Sequence, residues 1–144
     1  MKRFLVLLCF WFGSFVSYSQ DLLSQEKAER LFSTGLSLID HKQYGAAREV
    51  FSEYLNTSDA SETKRAEALY YKAFCSLNLF HSDSEKQIED FIKYNPTHPK
   101  AITANYDLGN FYYAEKNYKR ASLFYTKVDF AGLNQEQQRI GRFR

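Results

Sequence analysis

The sequence offers few of the side-chain arrangements on which catalysis or metal binding depends. Its histidines, His41, His81 and His98, are spread along the chain, and none has a second zinc ligand at the spacing that places two ligands on one helix face. His41 follows Asp40, but no Ser or Cys nucleophile accompanies that pair. The glycines are scattered singly, so no phosphate-binding loop is predicted. We therefore expect no enzyme activity, catalytic residue, cofactor, metal or small-molecule substrate.

The charged residues and the cysteines also favour structural roles. Acidic pairs such as Glu26/Glu29 and Glu49/Glu53 lie at helical spacing and indicate solvent-exposed helix faces. Cys75 lies outside the N-terminal apolar stretch, and its sequence context predicts a small buried hydrophobic residue on a helix. The chain carries 19 Lys and Arg against 17 Asp and Glu. This near-balance gives no electrostatic case for a nucleic-acid partner.

The N-terminus has the composition of an export signal. A Lys-Arg pair is followed by the almost continuously apolar stretch Phe4–Tyr18, which is 15 residues long. Because a membrane-spanning helix needs about 20 apolar residues, this stretch predicts a signal peptide over residues 1–19, cleaved after Ser19. An uncleaved N-terminal anchor is the alternative.

The rest of the chain contains an internal repeat of helical character. Four residue pairs share an offset of 74 positions: Gly35 and Gly109, Tyr44 and Tyr118, Ala47 and Ala121, Phe51 and Tyr125. Half of that offset is the length of one helix-pair repeat, so a degenerate middle copy is predicted between two clear ones. Apolar residues recur at steps of three and four, and no alternation of period two is sustained. The sequence thus predicts helices and no sheet.

The predicted repeat domain occupies residues 20–133 and contains three helix pairs, at about 25–58, 60–95 and 99–131. The segment 134–144 predicts the start of an incomplete fourth repeat, because Asn134 can cap a new helix.

Local signals mark the ends of the predicted helices. Asp59 followed by Glu62, and Ser82 followed by Glu85, fit the capping box that begins a helix. The prolines of the Asn95–Pro99 run must interrupt a helix, because each lacks an N–H and disfavours helical geometry in the preceding residue.

These repeated positions resemble the tetratricopeptide repeat. Its pattern of Leu-Gly and an aromatic residue, then Tyr, Ala and an aromatic residue, is matched by Leu108, Gly109, Tyr112, Tyr118, Ala121 and Tyr125. The first copy matches at Gly35, Leu38, Tyr44, Ala47 and Phe51, although Thr34 replaces the usual Leu. Asn95-Pro96 is similar to the closing run of the family. The resemblance covers residues 25–133 and implies an all-α, right-handed solenoid of stacked antiparallel helix pairs.

The resemblance also implies where a partner would bind. In this family the first helix of each pair lines the concave face. The corresponding residues here are Phe32, Leu36, Ile39, Tyr70, Phe74, Tyr106, Asn110 and Tyr113. Members that hold a carboxylate use Lys and Asn where this chain has Phe32 and Leu36, so a protein or peptide segment with hydrophobic anchors is expected instead.

Together these expectations describe a non-catalytic interaction scaffold. The signal and the repeat place it in the periplasm or cell envelope of a Gram-negative-type bacterium, with possible association with the outer membrane. The alternative is an N-terminal docking or oligomerisation module of a longer protein whose catalytic or sensory domain lies beyond residue 144. An amphipathic membrane-surface protein is less well supported, because no strongly basic face accompanies the apolar stripes.

Overall fold

The structure, a computed structural model, describes residues 23–57 and 61–142, with side chains up to residue 140. The helices are α1 (residues 23–40), α2 (Tyr44–Leu55), α3 (Glu62–Asn78), α4 (Ser84–Tyr94), α5 (Pro99–Ala114), α6 (Tyr118–Tyr125) and α7 (Gln135–Arg142), with a 3-10 turn at Phe130–Gly132. No strand occurs in the described ranges, so the all-α prediction is confirmed. The predicted signal peptide, residues 1–19, lies outside them. No helix within them has the length and apolar character needed to cross a membrane.

Three turns of the same geometry end α1, α3 and α5. Each contains one residue in the left-handed region, Lys42, Phe80 or Lys116, with φ of 58°, 59° and 60°. That residue donates its N–H to the carbonyl three positions back, and the next residue donates to the carbonyl five positions back, at 2.8–3.0 Å. This is the Schellman arrangement, which satisfies the last carbonyls of a helix. The backbone geometry of the turn therefore occurs in all three copies. It is present even in the middle copy, where the residue types of the repeat are not conserved between copies.

Glycine allows close contacts between paired helices. A Cβ atom on Gly35 would lie 2.6 Å from the Phe51 ring, and a Cβ on Gly109 would lie 2.6 Å from the Tyr125 ring. Carbon atoms in contact normally lie 3.5–4.0 Å apart, so only glycine leaves room for these rings. Two of the pairs found at the offset of 74 are thus equivalent contacts, one between α1 and α2 and the other between α5 and α6.

The hydrophobic core runs along the stack as clusters that share helices. The first joins α1, α2 and α3 around Phe51 and Tyr54, and the second joins α3, α4, α5 and α6 around Leu77, Ile88 and Leu108. A third cluster joins α5 and α6 to the segment that follows them. Most packing is between helices adjacent in sequence, and α3 also contacts α5. No single helix pair encloses its own core, so the pairs depend on one another for burial.

The starts of two helices differ from the sequence prediction. Ser61 caps α3 by accepting a hydrogen bond from the Lys64 N–H at 3.3 Å, whereas Asp59 lies outside the described residues. The capping box predicted at Ser82 is wrong: α4 begins one residue later than that box requires, after Asp83, whose side chain makes no capping bond. The Asp83 carboxylate instead accepts from the Gln87 amide at 2.7 Å, one turn into the helix.

Two other boundary predictions are confirmed. Residues 95–98 separate α4 from α5, and Pro99 is the first residue of α5, where a missing N–H costs nothing. The His98 ring accepts from the Lys100 N–H at 3.1 Å and caps that helix. At α7, Asn134 accepts from the Gln137 N–H at 2.9 Å, and the Gln137 side chain accepts from the Asn134 N–H at 3.1 Å. This is a complete capping box.

Candidate interaction surface

Three of the residues predicted to line the concave face are part of the core. Phe32 is 7% exposed, Tyr70 3% and Tyr106 5%. Each belongs to one of the hydrophobic clusters, because the neighbouring helices cover that side of the first helix. Side chains this buried present almost no surface to a partner, so the prediction for these three is corrected to a packing role.

The other five predicted residues are partly exposed, but the structure does not gather them into one site. Leu36 and Ile39 pack along the first core cluster. Tyr113 packs its ring edge-on against Tyr118, with ring centroids 5.4 Å apart. Only Phe74 and Asn110 come together, on facing helices.

Phe74 and Asn110 line a groove between α3 and α5, the first helices of the second and third pairs. The groove encloses about 460 Å³. We call it the α3–α5 groove, and its principal lining residues are Phe74, Phe80, Phe111, Asn110, Asp107 and Glu115. Aromatic surface alternates there with amide and carboxylate groups, the mixture found in sites that bind a segment by anchors and orient it by polar contacts.

Phe80 gives the groove its most exposed aromatic side chain. It is 66% exposed, and its ring contacts that of Phe111 with centroids 5.6 Å apart. It also holds the left-handed backbone position of its turn, which costs a residue with a side chain about 1–2 kcal/mol relative to the ordinary helical region. The equivalent turns carry Lys42 and Lys116. A large apolar residue is thus placed where neither burial nor backbone preference favours it.

Asp107 supplies a partly buried carboxylate to the groove. It accepts a hydrogen bond from the Tyr70 hydroxyl at 2.5 Å. Burial raises the pKa of Asp107, while the Tyr70 hydrogen bond and the charge of Lys100 act in the opposite direction. Burial and the adjacent carboxylate raise the pKa of Tyr70 well above its ordinary value. Tyr70 therefore remains the donor and fixes the carboxylate.

The amide groups of the groove are also held in place. Asn110 accepts from the Tyr125 hydroxyl at 2.9 Å, which connects the groove to the contact between Gly109 and Tyr125. Asn78 donates its side-chain N–H to the Phe74 carbonyl, also at 2.9 Å. Contacts within the chain therefore orient both amide side chains.

A second polar cluster serves to join helices. Glu85 of α4 accepts from the Tyr112 hydroxyl and from Arg120, whose guanidinium lies 4.6 Å from the centre of the Tyr112 ring. Burial, together with the bond to Glu85, raises the pKa of Tyr112 to about 12. Three helices are tied together by these contacts, so we interpret the cluster as structural.

The titratable residues considered in the sequence show no catalytic arrangement in the described ranges. His41 is exposed, with its Nδ1 2.7 Å from the Ser37 carbonyl oxygen, and His98 caps α5. Cys75 is buried, as predicted, and burial raises the pKa of its thiol to about 11. Within residues 23–57 and 61–142, no group of three or more His, Cys, Asp or Glu side chains is placed to hold a metal ion.

Sequence reasoning missed four of the six principal lining residues of the groove: Phe80, Phe111, Asp107 and Glu115. The turn of Phe80 carries the signal that could have found it, since aligning the turns would have set Phe80 beside Lys42 and Lys116. Comparison with known proteins gives no relative from which a site could be transferred. No family model, no curated protein and no solved structure matches this chain.

Proposed function

We propose that this chain is a non-catalytic protein-interaction scaffold of the tetratricopeptide type, and that a segment of its partner binds in the α3–α5 groove. In a solenoid of this type, the first helices of successive pairs line the concave face. α3 and α5 are the first helices of the second and third pairs, and the groove between them supports this proposal.

Two structural features support the tetratricopeptide assignment. The left-handed turns after α1, α3 and α5 recur at intervals of 38 and 36 residues, from Lys42 to Phe80 and from Phe80 to Lys116. The contacts of Gly35 with Phe51 and of Gly109 with Tyr125 give the close helix crossing that the pattern of small and aromatic residues requires.

Phe80 is the observation that carries the binding function. Its ring is exposed at the rim of the groove although the backbone at that position favours glycine or asparagine. Lys42 and Lys116 hold the same backbone position in their turns, so the feature that distinguishes Phe80 is its exposed aromatic ring. An aromatic anchor that becomes buried against a partner contributes about 2 kcal/mol or more to binding.

We further propose that the scaffold acts outside the cytoplasm, in the periplasm or at the outer membrane. The support is the sequence alone: a Lys-Arg pair followed by the apolar stretch Phe4–Tyr18.

The binding function can be tested with a random library of 12-residue peptides displayed on phage and selected on the purified chain. Selected peptides are then titrated, by fluorescence anisotropy, against the wild type and two variants. Phe80→Gly removes the anchor and also suits the left-handed backbone, so the fold is retained. Tyr94→Ala is the control, because Tyr94 is 73% exposed but does not line the groove.

The proposal predicts that Phe80→Gly weakens binding at least tenfold and that Tyr94→Ala leaves it unchanged. Failure of the wild type to enrich any peptide over Phe80→Gly would overturn it.

A further inference from the structure

The α3–α5 groove carries charge of one sign. Its charged lining residues are Asp107 and Glu115, both acidic, and no Lys, Arg or His is among the described residues that line it. The chain as a whole has nearly equal numbers of acidic and basic residues. The local imbalance therefore belongs to the groove and does not reflect the overall composition.

The carboxylates and the aromatic rings of this lining both attract a cation. A carboxylate that has lost part of its hydration interacts more strongly with an opposite charge than one in bulk water, and Asp107 is partly buried beside Tyr70. The faces of aromatic rings also attract Lys and Arg, and Phe74, Phe80 and Phe111 line the same groove as the two carboxylates. The same rings offer an apolar surface to an uncharged side chain.

Lys100 is the cation within the chain that faces Asp107, and it does not fill the groove. Its ammonium lies 4.8 Å from the centre of the Tyr71 ring and 5.7 Å from that of Tyr70. It offsets part of the Asp107 charge from outside the lining. Glu115 is exposed at the end of α5, where a carboxylate is disfavoured by the helix dipole and gains from a bound cation.

We infer that the α3–α5 groove binds a partner segment in which a Lys or Arg stands beside an apolar side chain. This inference rests on the proposed function and specifies its ligand. The apolar side chain packs among the aromatic rings, and the cationic group meets Glu115 at the rim and Asp107 below it. Charge complementarity selects this occupant over an acidic segment or a free carboxylate.

The peptide selection described above also tests the charge. Peptides that the wild type enriches over Phe80→Gly should carry an excess of Lys and Arg next to Leu, Ile, Phe or Tyr. In each selected peptide, replacement of the basic residues by Gln should weaken binding about tenfold. Raising NaCl from about 50 to about 300 mM should weaken the basic peptide and have little effect on its Gln counterpart.

Two variants that replace acidic groove residues by their neutral amides test whether these carboxylates attract the basic peptide. Asp107→Asn/Glu115→Gln keeps the size of both side chains and leaves an oxygen to accept from Tyr70, and Glu115→Gln alone changes only an exposed residue. Both should weaken the basic peptide, the double variant by about tenfold, without lowering helicity. The matched control, Asp40→Asn/Glu49→Gln, removes two exposed acidic residues of α1 and α2 and should change nothing.

The outcomes separate the inference from the proposed function. Peptides enriched over Phe80→Gly with no excess of basic residues, or bound equally by the double variant, would overturn the inference and leave the groove as a binding site. No enrichment over Phe80→Gly would overturn both. Sedimentation of the wild type as a dimer that Phe80→Gly abolishes would assign the groove to a second copy of the chain, and would also overturn the inference.

Discussion

Replacing Gly109 by Ala tests the helix crossing on which the repeat depends. The added Cβ would lie 2.6, 2.7 and 3.0 Å from three atoms of the Tyr125 ring. Ordinary carbon contacts begin near 3.5 Å, so the ring or the helix must move by about 1 Å. The ring has little freedom, because Tyr106 packs against it with centroids 6.2 Å apart and its hydroxyl bonds to Asn110.

The net cost follows from three contributions. Overpacking of this kind costs about 1–3 kcal/mol, and the hydrogen bond to Asn110, if displaced, adds about 1 kcal/mol. The higher helix propensity of alanine than of glycine offsets about 1 kcal/mol of this cost. We therefore expect Gly109→Ala to lower the free energy of unfolding by about 1–3 kcal/mol, measured by urea titration with far-ultraviolet circular dichroism.

Gly45→Ala is the matched control, since nothing lies within 4 Å of a Cβ at that position. It should leave stability unchanged or raise it by about 0.5 kcal/mol. In a Tyr125→Leu background, Gly109→Ala should lose most of its cost, which a double-mutant cycle measures directly. A Gly109→Ala variant as stable as the wild type would refute the crossing described here.

Two further predictions concern the left-handed turns and the raised pKa values of Cys75 and Tyr112. Lys116→Gly should stabilise the chain by about 1 kcal/mol, because glycine adopts the left-handed backbone of that turn without strain. The control, Lys119→Gly in α6, should destabilise the chain by about 1 kcal/mol. Equal effects of the two substitutions in urea titrations would contradict this explanation of the turn. The pKa of Cys75, about 11, and that of Tyr112, about 12, lie above the ordinary 9.0 and 10.0, so the native state keeps protons that the unfolded state releases. The free energy of unfolding should therefore be unaffected below about pH 9 and fall as the pH rises towards 12. The fall should be less steep in Tyr112→Phe. A urea midpoint that stays constant to about pH 11.5 would contradict this prediction.

The sequence was sufficient to predict helix pairs where small and large residues recur together. Gly35 with Phe51 and Gly109 with Tyr125 could be paired from type and spacing, because a tight helix crossing admits few other residues. The middle copy was obscured by its turn. α4 begins four residues after Phe80, whereas α2 and α6 begin two residues after Lys42 and Lys116. The left-handed turns themselves recur at intervals of 38 and 36 residues, so half of the offset of 74 points to Lys72, whereas the small residue is Ala73.

The composition of the groove could not be predicted in the same way. An aromatic residue on the first helix of a pair can face either the groove or the next pair, and only the packing of neighbouring helices places Phe32, Tyr70 and Tyr106 in the core. Asp107 has the type of a solvent-exposed residue, and it becomes a partly buried acceptor because Tyr70, 37 positions earlier, meets it across the stack. Such contacts between distant residues have no local signal.

The most direct test of the binding function is to locate a selected peptide on the protein by NMR. The ¹⁵N-labelled chain is titrated with that peptide, and amide shifts are followed along the chain. The account predicts that the largest changes occur in α3 and α5, at Phe74, Asn78, Asn110 and Phe111, and that they vanish in Phe80→Gly. Leu69 and Tyr94 are exposed and line a different surface depression. Shifts centred on these two residues, or shifts unaffected by Phe80→Gly, would contradict the proposed site.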